Sequence, residues 1–218
     1  MTRALLFDFD GLLVDTETPS LAAWQEVYRA HGHELTLEMW APTIGTIDGF
    51  DPWARLEELA GPLDFETVNA RRREHELSLT DVEELRPGVL DYLVEARARD
   101  LKTAIVSSSS RRWIDSHLTR LERLGDFDEI VTADGDTTRA KPAPTLYLEA
   151  LDLLGVAAED AVAFEDSPNG VRAAKAAGLF VVAVPNAVTG ALDLGEADLV
   201  VPSLAELPFD ELTSLRWT

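Results

Sequence analysis

The chain contains no cysteine. Disulfides, thiolate metal sites and cysteine nucleophiles are therefore excluded, and the fold must rest on packing. Positive charge is scarce: 19 Lys and Arg stand against 40 Asp and Glu, a formal net charge of −21. That balance argues against nucleic acid and anionic membranes as partners. No apolar run approaches the roughly 20 residues of a membrane span, and Met1-Thr2-Arg3 leads into a short apolar run rather than a signal peptide. A cytoplasmic protein is the expectation, a monomer with a dimer left open. Internal repeats, low-complexity tracts and long linkers are also missing. At 218 residues the chain can bury a full core, as one domain or one domain carrying a sizeable insertion.

What is present is a run of polar stations, each near the end of an apolar segment. Ala4-Leu5-Leu6-Phe7 leads into Asp8-Phe9-Asp10-Gly11. Side chains alternate along a strand, so Phe9 should face away while Asp8 and Asp10 project the same way. An isolated Asp-Xaa-Asp-Gly can be an ordinary turn, but the end of an apolar strand is where ligands of open α/β sheets collect. Further along come Ser107 after Thr103-Ala104-Ile105-Val106, Lys141 in Ala140-Lys141-Pro142-Ala143-Pro144, and Glu165-Asp166 after Ala161-Val162-Ala163-Phe164.

Strands are predicted at Ala4 to Asp8, Lys102 to Ser107, Glu129 to Thr132, Ala161 to Glu165, Phe180 to Val184 and Leu199 to Val201. Helical patterns lie between them, including Val89 to Arg99, Pro142 to Leu154, and a helix opened by Ser167-Pro168 and closed by Gly178. This alternation predicts an α/β fold with a doubly wound parallel sheet. One interval breaks it. From about Thr18 to Glu84 only helical segments appear: one opened by Thr18-Pro19, with Trp24, Val27, Tyr28 and His31 on one face; one opened by Asp51-Pro52, with Leu56 and Leu59; and Phe65 to Leu77.

With FDFDGLLVDTE, VSSSS, KPAP and FEDSPNGVRAAKAAG in this order, the chain resembles the haloacid dehalogenase superfamily of phosphohydrolases, nearest its β-phosphoglucomutase-like branch. The similarity runs over nearly the whole chain and is weakest between about Pro19 and Leu85. It implies a Rossmann-like core of residues 1–16 and 86–218 and an all-helical cap of residues 17–85, hinged near Asp15 to Thr18 and Leu85 to Gly88. It also implies a magnesium-dependent phosphatase acting on a small phosphorylated metabolite.

In that reading Asp8 is the nucleophile, forming an aspartyl-phosphate. Asp10 protonates the leaving alkoxide and later activates water; its backbone carbonyl is a metal ligand in the family. Gly11 turns the chain away without obstructing the phosphoryl group, so the phosphate-binding set is Gly11, Ser107, the N–H of Ser108, and Lys141. Mg2+ would be held by Asp8, Asp10, Glu165 and Asp166, with direct or water-mediated ligation by Glu165 left open. A divalent cation and Lys141 would also invert the local field of a strongly acidic protein.

Sugar-phosphate mutases of this branch carry a histidine where Ser20 stands and a cap arginine where Gly45-Thr46-Ile47-Asp48 stands. A phosphatase is therefore expected, with the mutase as the alternative. A non-catalytic binding module ranks below both, because the charged stations are all present. His31, His33, His75 and His117 show no ligand spacing. Arg71-Arg72-Arg73 reads as part of a solvated cap helix, and Trp40, Phe50 and Trp53 read as cap core rather than pocket lining.

Overall fold

The computed structural model describes residues 2–47 and 49–214. β1 (Ala4–Phe7) is followed by four helices, α1 (Glu17–Ala30), α2 (Leu37–Trp40), α3 (Pro52–Ala60) and α4 (Phe65–Thr80). Alternation then sets in with α5 (Val89–Ala98), β2 (Lys102–Ser107), α6 (Arg111–Arg120), β3 (Glu129–Thr132), α7 (Thr145–Leu154), β4 (Ala161–Glu165), α8 (Pro168–Ala176), β5 (Phe180–Ala183), β6 (Leu199–Val200) and α9 (Phe209–Ser214). All six predicted strands are present, each within one residue of its predicted end. Among the described residues no helix is long and apolar enough to cross a membrane.

The six strands run parallel in the order β3-β2-β1-β4-β5-β6. β1 is buried on both faces, which is why it reads as a continuous apolar run. Ala4 and Leu6 pack with Leu146, Tyr147 and Ala150 of α7 and Val171 and Ala174 of α8. Leu5, Phe7 and Phe9 enter the opposite cluster, with Val89, Tyr92 and Leu93 of α5 and Ile114 and Leu118 of α6. Phe7 lies level with Ile105 on one side and Phe164 on the other. Asp8, Ser107 and Glu165 therefore emerge at one edge, where the chain passes to β2 on one flank of β1 and β4 lies on the other. That is the crevice in which a doubly wound sheet places its ligands.

The two crossings between the sheet and α1–α4 lie side by side. Val14 bridges Leu85 in antiparallel fashion, and the Arg86 N–H donates to Leu13 O at 2.9 Å. The helical block has an apolar cluster of its own, in which Trp24, Tyr28, Leu35, Trp40, Ile44 and Leu56 meet Val188 from the loop after β5. Phe50 and Trp53 pack at the margin of this cluster. Leu59 stays at the surface.

Three local expectations need correction. α1 begins at Glu17 rather than at Thr18-Pro19, because the Asp15 carboxylate accepts from Thr18 N at 3.0 Å and draws the preceding residues into the first turn. α7 begins at Thr145 rather than Pro142; Ala143 precedes Pro144, a position that disfavours helical backbone. The basic run is not uniformly solvated: Arg72 lies 5.0 Å over the Trp24 ring and donates to Glu76 at 2.7 Å, whereas Arg71 and Arg73 are exposed.

Candidate active site

Asp8 sits one residue beyond β1, anchored by its own N–H to Phe164 O at 3.0 Å. Its carboxylate is buried and accepts from Lys141 Nζ at 2.5 Å. The same ammonium donates to Glu165 Oε1 at 2.6 Å, and Tyr147 Oη donates to that oxygen at 2.5 Å. Oxygens of Asp8, Glu165 and Asp166 lie within 4.8 Å of one another. Three carboxylates against one ammonium leave two negative charges in excess when all are ionised. Burial, reinforced by Glu165 and Asp10, accordingly pushes Asp8 up to about 8 despite Lys141. Asp166 is raised well above the carboxylate range by burial and by Asp8. Burial alone would lower Lys141, but Asp8 and Glu165 reverse that and keep it charged.

The donor set fits a hard divalent cation. Glu165 Oε2 and Asp166 Oδ1 are buried without a hydrogen-bond partner, and carboxylate oxygens around an excess of two negative charges suit magnesium or a similar ion. Orphaned buried anions of this kind are costly unless something pairs with them.

Asp10 has the opposite surroundings. Oδ1 accepts from Thr16 Oγ1 at 2.9 Å and from Trp113 Nε1 at 2.8 Å, and Oδ2 accepts from Ser109 Oγ at 2.6 Å and Ser107 Oγ at 3.3 Å. Thr16 is the residue before α1, yet its hydroxyl makes no cap bond because it is turned to Asp10. The serine run divides into three devices. Ser107 and Ser109 face Asp10; Ser108 Oγ donates to Gly45 O and accepts from Lys141 N, both at 3.1 Å; and Ser110 caps α6 by accepting from Trp113 N at 3.3 Å.

The place of Gly11 has a steric reason beyond the turn expected of it. With φ at +77°, a Cβ there would lie 2.2 Å from Asp166 Oδ2, so the residue clears room for a carboxylate of the acidic cluster. Its N–H donates to Val14 O, and its carbonyl accepts from Arg86 and Asn186. Gly170 plays the same part for Glu165, whose carboxylate fills the space a Cβ would occupy.

Several residues of the site escaped sequence reasoning. Asn186 Nδ2 donates to Asp166 Oδ2 at 2.7 Å, and its place just past β5 repeats the strand-end signal that marked the other stations. Arg86 binds the carbonyls of Gly11, Val184 and Pro185, tying the segment that follows α4 to the sheet edge. Glu17, on the first turn of α1, is pushed up to about 8 by burial and then by Asp10 and Asp8. The Trp40 indole partly offsets this, although Trp40 Nε1 itself is buried without a partner at bonding distance. Across the crevice, Asn169 Nδ2 donates to Ile44 O at 2.9 Å, and Gly45 packs on Ser167. Asp48 lies outside the described residues. Among the described residues no histidine joins the acidic cluster.

Residues 5–184 match the family described as haloacid dehalogenase-like hydrolase. The chain belongs to that family. It is accordingly an enzyme, and its relatives include named phosphatases. YhcW of Bacillus subtilis, named as a candidate phosphatase, is 44% identical over 208 residues, 95% of this chain and 94% of that one. A phosphorylated carbohydrates phosphatase of Thermotoga maritima is 32% identical over 81% of this chain and 82% of its own length. Among solved structures, CbbY of Rhodobacter sphaeroides in complex with phosphate superposes with a TM-score of 0.78 at 31% identity, covering 98% of this chain and 100% of that one.

Proposed function

We propose that this protein is a magnesium-dependent phosphatase that hydrolyses a small phosphate monoester, a sugar phosphate or similar metabolite, through an aspartyl-phosphate on Asp8. The observation that carries the reading is the buried Asp8 carboxylate, paired with Lys141 at 2.5 Å beside two orphaned carboxylate oxygens. Phosphate monoesters resist attack because nucleophile and phosphoryl group are both anionic, so catalysis is chiefly positioning and charge neutralisation. Asp8, Glu165 and Asp166, with the backbone carbonyl of Asp10, would hold the magnesium, which supplies positive charge against the phosphoryl oxygens.

The chain's own groups then divide the work. An Asp8 oxygen forms the new bond to phosphorus as the ester P–O bond breaks, and Asp10 passes a proton to the departing alkoxide. In the second half, Asp10 takes a proton from the water that attacks the acyl phosphate, and Asp8 and inorganic phosphate are released. Lys141 and the Ser107 hydroxyl orient the phosphoryl group, with Ser108 N–H beside them. Residues 17–85 act as a cap over this chamber, its Ile44–Gly45 segment resting on Asn169 and Ser108.

Glu17 suggests the kind of alcohol released: held toward its neutral carboxyl form by burial, Asp10 and Asp8, it can both donate to and accept from a sugar hydroxyl. Ser20, in place of the mutase histidine, favours hydrolysis over phosphoryl return to a sugar.

A screen over monophosphorylated sugars and polyols, bisphosphates and nucleotides, with magnesium or EDTA, tests the reading. Phosphate release from a monophosphorylated sugar, abolished by EDTA, is expected. Full turnover after rigorous metal removal would contradict it, as would isomerisation of a sugar phosphate much faster than phosphate release.

A further inference from the structure

A carboxylate is an acceptor with about four lone-pair sites on two oxygens, and Asp10 meets four donors. They are not equivalent. Thr16, Ser107 and Ser109 present hydroxyls, which can rotate from donating to accepting. Trp113 presents an indole N–H, which only donates. When Asp10 carries a proton, that proton needs an acceptor, and the indole cannot become one. Oδ1 therefore keeps a fixed donor, while Oδ2 faces only reversible hydroxyls and lies toward Ser107, the hydroxyl on the phosphoryl side.

Trp113 is itself held in place. Ser110 caps the turn that carries it, and the ring of His117, buried with both nitrogens unpartnered, packs edge-on at 4.2 Å behind the indole. Resting on the acid and base role proposed above for Asp10, we propose that Trp113 is a positioning residue that pins Asp10 through Oδ1, so that the proton given to the leaving group is carried on Oδ2 between Ser107 and Ser109. The indole takes up no proton and touches no reacting atom. It sets which oxygen of the acid faces the ester.

The need for a general acid depends on the leaving group, and this separates positioning from a merely structural role. An alkoxide from a sugar must be protonated as it leaves, whereas p-nitrophenolate departs without help. Both second-order rate constants, kcat/KM, report steps up to phosphoryl transfer to Asp8. Trp113→Phe removes the N–H and keeps an aromatic ring. It is expected to lower kcat/KM for an alkyl sugar phosphate by roughly ten- to a hundredfold, a part of the roughly 10²–10⁴-fold that a general acid supplies, and for p-nitrophenyl phosphate by less than about twofold. Trp113→His, which keeps a ring N–H, should recover part of the sugar phosphate rate. Equal losses on the two esters, no loss on either, or no advantage of His over Phe would overturn the proposal. A wild-type enzyme that hydrolyses neither ester would instead overturn the phosphatase reading itself.

Discussion

Asp8 and Asp10 stand two residues apart in one segment, yet the two sides of the crevice treat them oppositely. On the Asp8 side, three buried carboxylates cluster, Lys141 pairs with two of them, and two of their oxygens have no partner. On the Asp10 side, hydroxyls and an indole from α6, the serine run and Thr16 fill both oxygens of a single carboxylate. The first arrangement is incomplete without a cation. The second is complete, and built from groups most of which can reverse their hydrogen bonds. The roles proposed for them, a nucleophile that needs charge shielding and an acid that needs a movable proton, call for these two environments.

The contrast can be broken first by removing the central cation. Lys141→Met should cost roughly 3–5 kcal/mol of folding stability without metal, as expected when one partner of a buried ion pair is lost. Thr16→Val on the other side should cost only about 2 kcal/mol, the scale of one hydrogen bond to a charged group. Urea unfolding of the two variants in EDTA checks the ranking, and comparable losses would erase the asymmetry.

A second effect should appear in the pH dependence of the metal-free protein. Asp8 is pushed up to about 8 in the folded state from an ordinary 3.8. The folded protein then retains a proton that the unfolded chain releases, so stability falls as pH rises from about 4 to about 8 and levels off above. Glu17 and Asp166, also raised by burial, add to the same fall. Saturating magnesium, which binds the ionised carboxylates, should remove it. Thermal unfolding between pH 5 and 9, with and without magnesium, should show a metal-free Tm that is lower at the alkaline end; a flat or rising metal-free Tm would contradict the account.

Much of the Asp8 side was legible in the sequence, because it is written in strand ends. Asp8, Ser107 and Glu165-Asp166 each follow a continuous apolar run, and parallel strands in register bring such ends together. Lys141 was found only through its Pro-flanked motif. The Asp10 side was harder to read. Trp113 is 103 residues from Asp10 and looks like an ordinary aromatic on an amphipathic helix; only its place three residues after the Ser110 cap marked the turn that aims it. Ser109 was indistinguishable from a polar loop residue, and nothing in the sequence singled out the Thr16 hydroxyl. Across α1 to α4, periodicity located the helices, but Ile44 and Gly45 meet Asn169 and Ser108 through backbone carbonyls, which no side-chain pattern records.

The central claim is that Asp8 takes the phosphoryl group while Asp10 serves as its acid and base. Single-turnover reaction of the Asp10→Asn variant with radiolabelled p-nitrophenyl phosphate and magnesium, quenched in acid and mapped by peptide, tests both halves at once. The leaving group needs no acid, but the second step has lost its base, so the account predicts a burst of p-nitrophenol with label held on the peptide containing Asp8. Release of labelled phosphate at the wild-type rate with no trapped label, or label on a residue other than Asp8, would contradict it.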